Sequence, residues 1–231
     1  DIMNQMRYFL PHLLALSSSS PFWQGADTGL KSYRLAIYDE SPRSGLPGVF
    51  SSWHEYKSTI DVLVDADVIQ DATKIWWDIR PSAKYPTLEM RITDVCPLLE
   101  DALCISQLYR CLCRMLYRLR MSNQRWRPYP LFLLEENRWR AQRYGVGGTL
   151  FDFGTGALVP YAQLLDEIIE RLREDIRHFG CEKEVEHART ILARGTSADR
   201  QLKCAEAARN SGATEDEAMR VVVDQLLAET A

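Results

Sequence analysis

Apolar side chains recur at helical spacing through most of this chain and alternate with polar ones only near its middle. Apolar positions three and four residues apart are typical of amphipathic helices. That spacing predicts helices over 2–16 with an interruption at Pro11, over 52–68, 97–120, 133–145 and 160–179, near 197–210 and from Thr214. Glu217 follows Thr214 by three residues, which is typical of a capping box. The C-terminal third is therefore expected to be a helical layer.

Two segments switch to alternation, which is typical of half-buried strands. Every second residue is apolar in 75–80 and in 88–93, and the six-residue connection PSAKYP at 81–86 suits an antiparallel hairpin with a longer loop. If both apolar faces pack on one core, the two polar faces coincide. The residues expected on that shared polar surface are Asp78, Arg80, Glu89, Arg91 and Thr93.

Segments rich in Ser, Gly and Pro separate the predicted elements at 17–29, 41–48 and 145–156. Four serines in the first segment are typical of a flexible linker, but Phe22 and Trp23 favour a packed loop beside a site at least as much. The third segment predicts a Gly-rich loop or a short hairpin. Since neither GxGxxG nor GxxxxGK[ST] occurs there, a structural role is favoured over phosphate binding.

Composition excludes several classes of protein. The chain has 231 residues, 46% of them hydrophobic, which excludes a disordered, a collagen-like or a disulfide-stapled chain. No segment approaches the roughly 18 apolar residues of a spanning helix, so no membrane partner is expected. The net charge of -4 argues against a nucleic-acid partner. The stretch RMSNQRWR at 120–127 could bind nucleic acid, but a helix end with flanking surface arginines explains it better.

The cysteines indicate the redox compartment. None of the six forms a CxxC pair or has a His partner at zinc spacing, so free thiols in a reducing, cytoplasmic location are expected. Cys111 and Cys113 form a CxC pair within a predicted helix, where a core role is favoured over a metal or redox role. The chain begins at Asp1 without the features of a signal peptide, so a processed or truncated piece is one interpretation.

The polar hairpin surface is the main candidate for chemistry. A carboxylate between arginines can hold Mg²⁺ while the guanidinium groups hold phosphate or carboxylate oxygens, although spacing alone favours cross-strand ion pairs on a solvated face. A second group, Arg138, Arg140 and Arg143, could clamp an anion, but helical pairs with Glu135 and Glu136 explain these charges. The lack of GxSxG and HExxH motifs argues against a triad hydrolase and a zincin.

Five blocks of the sequence, in order along the chain, resemble a known family. The blocks are 17–34 (SSSSPFWQGADTGLKSYR), 42–47 (PRSGLP), 76–103 (WWDIRPSAKYPTLEMRITDVCPLLEDAL), 136–145 (ENRWRAQRYG) and 195–202 (GTSADRQL). Together they closely resemble the glutamate-cysteine ligase type 2, or YbdK-type carboxylate-amine ligase, family. The resemblance extends over the whole chain.

The resemblance implies an α+β fold like that of glutamine synthetase, in which an antiparallel sheet packed on helices presents a concave polar face to ATP, Mg²⁺ and the acid substrate. It places a metal ligand at Glu89 and catalytic, anion-stabilising groups at Arg91 and Arg80. Candidates for cofactor contact are Arg140, Arg143 and Arg200. Candidates for substrate contact are Thr28, Arg34 and Arg43.

The implied activity is ATP-dependent amide formation through an acyl phosphate, with glutamate as the acid and cysteine or another amine as its partner. One catalytic domain over 1–231 is expected, without the acidic GxExE-like strand and the HxH-type segment that begin family members. Three explanations stay open: the sequence is a fragment, the missing portion is removed or disordered, or another polypeptide supplies it. The oligomeric state is also open, and a homo-oligomer is one possibility. Two alternatives to the ligase stay open. One is a catalytically silent domain that binds nucleotide or a partner chain, and the other is a protein that binds anionic polymers through its arginines.

Overall fold

Helices make up most of the chain, as the apolar spacing predicted, and the computed structural model describes all 231 residues. The helices are α1 (Ile2–Met6), α2 (Leu10–Ser17), α3 (Tyr33–Asp39), α4 (Trp53–Asp65), α5 (Leu99–Met121), α6 (Leu131–Tyr144), α7 (Tyr161–Arg171), α8 (Arg173–Phe179), α9 (Glu182–Arg194), α10 (Ser197–Asn210) and α11 (Glu215–Thr230). The strands are β1 (Phe22–Trp23), β2 (Ala26–Asp27), β3 (Ile79–Pro81), β4 (Leu88–Met90), β5 (Thr149–Asp152) and β6 (Ala157–Pro160). Mixed helices and small antiparallel sheets agree with the predicted α+β class.

The six strands form three separate antiparallel hairpins. In the middle one, Arg80 lies opposite Glu89, so the alternation predicted both the pairing and the shared polar side. The strands are shorter than the alternating segments, and the Gly-rich third segment forms the hairpin β5–β6. The three hairpins do not join into one concave sheet. The glutamine-synthetase-like fold therefore stays a prediction.

Helix boundaries differ from the predicted ones where backbone chemistry intervenes. Pro11 lies in the first turn of α2, where no intrahelical donor is needed, so the predicted interruption falls between two helices. The segment predicted as one helix over 160–179 divides at Leu172 into α7 and α8. Sequence reasoning missed α3 and α9, although Val185, Ala188 and Ile191 give α9 a buried stripe at helical spacing.

The core is built around α2. All eight of its residues are buried, which is the expected position for a helix that is apolar on every side. It contacts α5, α6 and α9, and the hydroxyl of Tyr161 at the start of α7 donates a hydrogen bond to the carbonyl oxygen of His12 at 2.8 Å. No helix here has both the length and the apolar character needed to cross a bilayer.

Arg138 fixes α6 to the middle hairpin. Its Nε donates to Oδ2 of Asp78 at 2.6 Å, and its Nη1 and Nη2 donate to the two carboxylate oxygens of Asp39 at 2.7 and 2.9 Å. The predicted local pair with Glu135 is therefore wrong, because two carboxylates from other segments occupy the guanidinium. The other predicted pair, Glu136 with Arg140, is present at 3.6 Å.

Of the charged groups around Arg138, the Asp78 carboxylate is the one whose ionised form is disfavoured by burial. Burial raises its pKa, and the charge and hydrogen bonds of Arg138 only partly offset that effect. A carboxyl group whose folded-state pKa lies above its unfolded-state pKa destabilises the fold as pH rises between the two values. Arg138 thus reduces the free-energy cost of keeping Asp78 ionised in the folded protein at neutral pH.

We expect Arg138→Gln to lower the free energy of unfolding by about 3–5 kcal/mol at pH 7, because it leaves a buried carboxylate without its partner. The loss should shrink at acidic pH, because the raised pKa of Asp78 favours binding of a proton by the folded state. Urea unfolding followed by circular dichroism at several pH values measures both effects.

Arg143→Gln is the matched control, since it lies on the same helix and its guanidinium makes one contact, from Nη1 to the carbonyl oxygen of Gly29 at 2.6 Å. It should cost about 1 kcal/mol or less at either pH. Equal losses in the two variants, or a loss that grows in acid, would contradict the role assigned to Arg138.

Candidate functional site

Arg80 and Glu89 form a cross-strand pair on the polar face of the β3–β4 hairpin. The Nε of Arg80 donates to Oε2 of Glu89 at 2.9 Å. Burial disfavours the charged form of Glu89, but the hydrogen bonds from Arg80 and Ser82 and the charges of Arg80 and Arg91 outweigh it and lower the pKa of Glu89. Glu89 is therefore an ionised carboxylate at neutral pH, held by its neighbour across the hairpin.

The Nη1 group of Arg80 supports the chain before β3. It donates to the carbonyl oxygens of Thr73 and Ile75 at 2.8 and 2.5 Å. The residue is buried, with 8% of its surface exposed. Only Nη2 of Arg80 is left without a protein partner, so this arginine mainly holds structure around the hairpin.

Arg91 is engaged far less than Arg80. Its Nη2 donates to the hydroxyl of Tyr38 at 3.4 Å, and its Nη1 lies 3.9 Å from Oε2 of Glu89. Its Nε is buried and has no hydrogen-bond partner. A buried donor without a partner is rare in a folded protein and fits a position that a ligand oxygen completes. Of the predicted site residues, Arg91 is the one with the clearest capacity for an anion.

Arg34 supports the segment that carries Arg91. Its Nη2 donates to the carbonyl oxygens of Arg91, Ile92 and Thr93 at 3.0, 2.8 and 2.8 Å. Its Nε donates to Oδ1 of Asp94 at 2.8 Å. Because Nε and Nη2 are both used in these contacts, Arg34 mainly positions the segment that carries Arg91.

Asp94 organises the serine-rich loop, and sequence reasoning missed it. Its carboxylate accepts hydrogen bonds from the backbone N–H of Ser19 at 2.9 Å and from the hydroxyls of Ser20 and Ser32 at 2.9 and 2.8 Å. The side chain of Asp94 is almost fully buried. The serine part of the loop is therefore packed beside the hairpin, whereas Trp23, which was expected to pack there, is exposed. An acid directly after a predicted strand and a run of serine hydroxyl donors were the available signals.

Thr28 and Arg143 meet at one turn of the loop after β2. The Thr28 hydroxyl donates to the carbonyl oxygen of Pro21 at 2.8 Å and accepts the N–H of Leu30 at 3.2 Å. The next residue, Gly29, has a φ of +71°, and its carbonyl oxygen accepts Nη1 of Arg143. These two predicted residues thus lie together, held by backbone groups.

Arg43, Arg140 and Arg200 are placed by three different parts of the fold. Arg43 is on the exposed loop beside β3, where its Nε donates to the carbonyl oxygen of Lys74 at 3.2 Å. Arg140 donates from Nε and Nη2 to the carbonyl oxygen and hydroxyl of Thr149 in β5 at 2.8 and 2.6 Å. Arg200 forms a bidentate salt bridge with Glu229 of α11, in which Nε and Nη2 donate to Oε1 and Oε2 at 2.9 and 2.7 Å. Arg140 and Arg200 therefore hold secondary-structure elements together.

A large cavity lies on the other face of the same hairpin. It has a volume of about 820 Å³, and its walls include Leu88, Phe50 and Tyr56. Neighbouring residues of a strand point to opposite faces, so a cavity that contains Leu88 lies across the hairpin from Glu89. The charged residues and the large cavity are thus separate features of one hairpin.

The donor set for a metal is incomplete. No group of three or more His, Cys, Asp or Glu side chains lies close enough together in these 231 residues to hold a metal ion. Mg²⁺ requires octahedral oxygen coordination, and Glu89 offers one carboxylate that already faces two arginines. These residues alone do not form a magnesium site, so we derive no chemical step through the metal. Glu89 as a metal ligand stays a prediction.

A polar hairpin with one carboxylate and a partly free arginine is suited to binding anionic substrates. Comparison with known families identifies the class: the glutamate-cysteine ligase family 2 matches residues 1–224, and the chain belongs to that family. The resemblance of the five sequence blocks is thereby confirmed.

Three relatives show how far the similarity extends. The chain is 60% identical over 230 residues to a protein of Rhodospirillum rubrum, 59% over 227 residues to one of Jannaschia sp. and 41% over 230 residues to one of Chloroflexus aggregans. Each is named "Putative glutamate--cysteine ligase 2". The matches cover 100%, 98% and 100% of this chain but 59%, 60% and 57% of the relatives. The chain thus spans about three fifths of their length, and the activity in that name belongs to the relatives.

We expect Asp94→Asn to loosen the serine-rich loop, because a neutral amide cannot accept all four donors or balance the charge of Arg34. The free energy of unfolding should fall by about 3–5 kcal/mol, as for other broken buried ion pairs. Hydrogen exchange should accelerate in residues 17–34 and 91–94 before the rest of the chain.

Asp61→Asn provides the control, since Asp61 pairs with Lys57 at 3.1 Å on an exposed helix face. It should change stability by roughly 0.5 kcal/mol or less. The assignment of Asp94 as the organising group fails if the exchange of the loop is unchanged in Asp94→Asn.

Proposed function

We propose that this chain forms the anion-binding part of an ATP-dependent carboxylate-amine ligase. The observation that carries the proposal is Arg91: its buried Nε has no partner, and the Arg34–Asp94 pair holds the backbone that presents it. Membership of the glutamate-cysteine ligase family supports the reaction class. The finer assignments that accompany this proposal are a glutamine-synthetase-like fold, a cytoplasmic location, glutamate as the acid and cysteine as the amine.

The proposed reaction has two steps. A substrate carboxylate oxygen attacks the terminal phosphorus of ATP, which gives an acyl phosphate and ADP. The amine nitrogen then attacks the acyl carbon, the phosphate leaves, and the nitrogen loses a proton to give the amide. Negative charge collects on the transferring phosphoryl group in the first step and on the former carbonyl oxygen in the second.

Arg91 is the residue of this chain that we assign to that charge. Arg34 fixes the backbone of Arg91, and the Arg91 guanidinium contacts the hydroxyl of Tyr38 at 3.4 Å. Glu89 lies 3.9 Å from Nη1 of Arg91 and limits where that guanidinium can turn. Magnesium would neutralise the nucleotide phosphates when bound, and Glu89 would be this chain's single contribution to it.

A second candidate function is a silent domain that binds nucleotide or a partner chain without ligation. The incomplete metal donor set favours this reading. The two candidates make different predictions for the same mixture. A ligase releases ADP only when acid and amine are both present, whereas a silent domain binds nucleotide and releases none.

The test incubates the chain with Mg²⁺-ATP and glutamate, with and without cysteine, and follows ADP release and product mass. We expect Arg91→Gln to lower turnover by about 10²–10³-fold, the usual cost of removing one group that stabilises developing negative charge. Glu89→Gln should also lower turnover, with the thermal unfolding of both variants close to that of the parent chain.

Glu170→Gln is the matched control, because Glu170 pairs with Arg173 on an exposed face of the helical layer. It should retain full activity. Full activity in Arg91→Gln would remove this arginine from the mechanism. Nucleotide binding that depends on Arg91 without any amide product would instead establish the silent domain.

A further inference from the structure

A second cavity lies away from the hairpin, between the N-terminal helices, the segment after α5 and helix α7. Its volume is about 460 Å³, which is within the range of small-molecule sites. It shares no lining residue with the polar hairpin face. The sequence RMSNQRWR, which the proposed ligase does not use, supplies one of its walls. The cavity therefore needs its own explanation.

Aromatic rings form the inner wall of this cavity. The ring of Tyr8 lies 5.3 Å from Trp126 and 5.3 Å from Tyr129, and Phe9 lies 4.8 Å from Trp126. The backbone N–H of Trp126 donates to Oε1 of Gln5 at 2.5 Å, which holds the segment against α1. The indole Nε1 of Trp126 is buried and has no hydrogen-bond partner. The wall thus consists of aromatic rings, and the indole N–H of Trp126 among them is a donor without a protein partner.

Charged groups of both signs line the same cavity, and no salt bridge within the protein neutralises them. The Arg171 guanidinium lies 5.5 Å from the centre of the Trp126 ring, and that of Arg127 lies 5.7 Å from the Tyr129 ring. Oδ1 of Asp152 accepts a turn N–H, and Oε1 of Glu167 accepts the amide of a neighbouring glutamine. A ligand with a positive and a negative group could therefore use both kinds of charge.

Two further polar groups of the cavity, His12 and Tyr8, are neutral at pH 7. Burial lowers the pKa of His12 to about 4. Burial, reinforced by the charge of Asp152, raises the pKa of the Tyr8 phenol well above its usual range. Neither group changes the charge balance at pH 7. The lining holds three arginines, Arg125, Arg127 and Arg171, and two carboxylates, so it carries both signs of charge instead of the purely positive surface that suits a polyphosphate.

We propose that this cavity binds a free amino acid with an aromatic side chain. Its ring would lie against Tyr8 and Trp126, its carboxylate would pair with Arg171, and its ammonium group would pair with Glu167 and Asp152. This occupant uses the ring faces and both signs of charge together. The site is independent of the proposed ligase chemistry, so either can fail alone.

The test uses the full chain, nitrogen-15 labelled, without ATP, and titrates it with L-phenylalanine. The readout is the indole N–H signal of Trp126, assigned by its loss in Trp126→Phe. We expect a saturable shift of that signal. Phenylpropionate, which lacks the ammonium group, and phenethylamine, which lacks the carboxylate, should each bind about tenfold more weakly or worse.

Arg171→Gln and Glu167→Gln each remove one charge from an exposed position of α7 and should weaken L-phenylalanine binding about tenfold or more. Arg173→Gln and Glu170→Gln are the matched controls, because these two residues lie nearby but outside the cavity. They should leave binding unchanged. The proposal is overturned by an unsaturable or absent shift, by equal binding in Arg171→Gln, or by equal binding of the two single-charge compounds.

Discussion

The Asp94 carboxylate joins the segment after β4 to two stretches that lie 60 or more residues earlier in the sequence. It accepts hydrogen bonds from Ser19, just after the buried helix α2, and from Ser32 and Arg34 at the start of α3. The polar face of the hairpin is therefore fixed relative to the core by one buried ionic cluster, and the orientation of Arg91 depends on it.

Arginine serves mainly as a structural tie in this protein. Arg138 joins α6 to two acidic residues of other segments, Arg140 holds β5, and Arg200 joins α10 to α11. Their planar donors match carboxylates and carbonyl oxygens that neighbouring elements leave exposed. The chemically informative arginines are thus the ones that this network leaves incompletely used.

The sequence predicted features that depend on local periodicity. Alternation predicted the hairpin pairing of Arg80 with Glu89, and helical spacing predicted the long helix α5. It could not predict the partners of Arg138, because Asp39 and Asp78 are 99 and 60 residues away and meet it only after the helices pack. For the same reason, the arginines that hold structure could not be separated from Arg91 by spacing.

The complete burial of α2 has a consequence for how the chain folds. Its eight residues come early in the sequence, whereas α5, α6 and α9, which cover it, end as late as Arg194. Contacts between such distant segments slow folding, since long loops must close first. During synthesis this apolar helix therefore stays uncovered until α9 has emerged, which leaves the region prone to aggregation in the meantime.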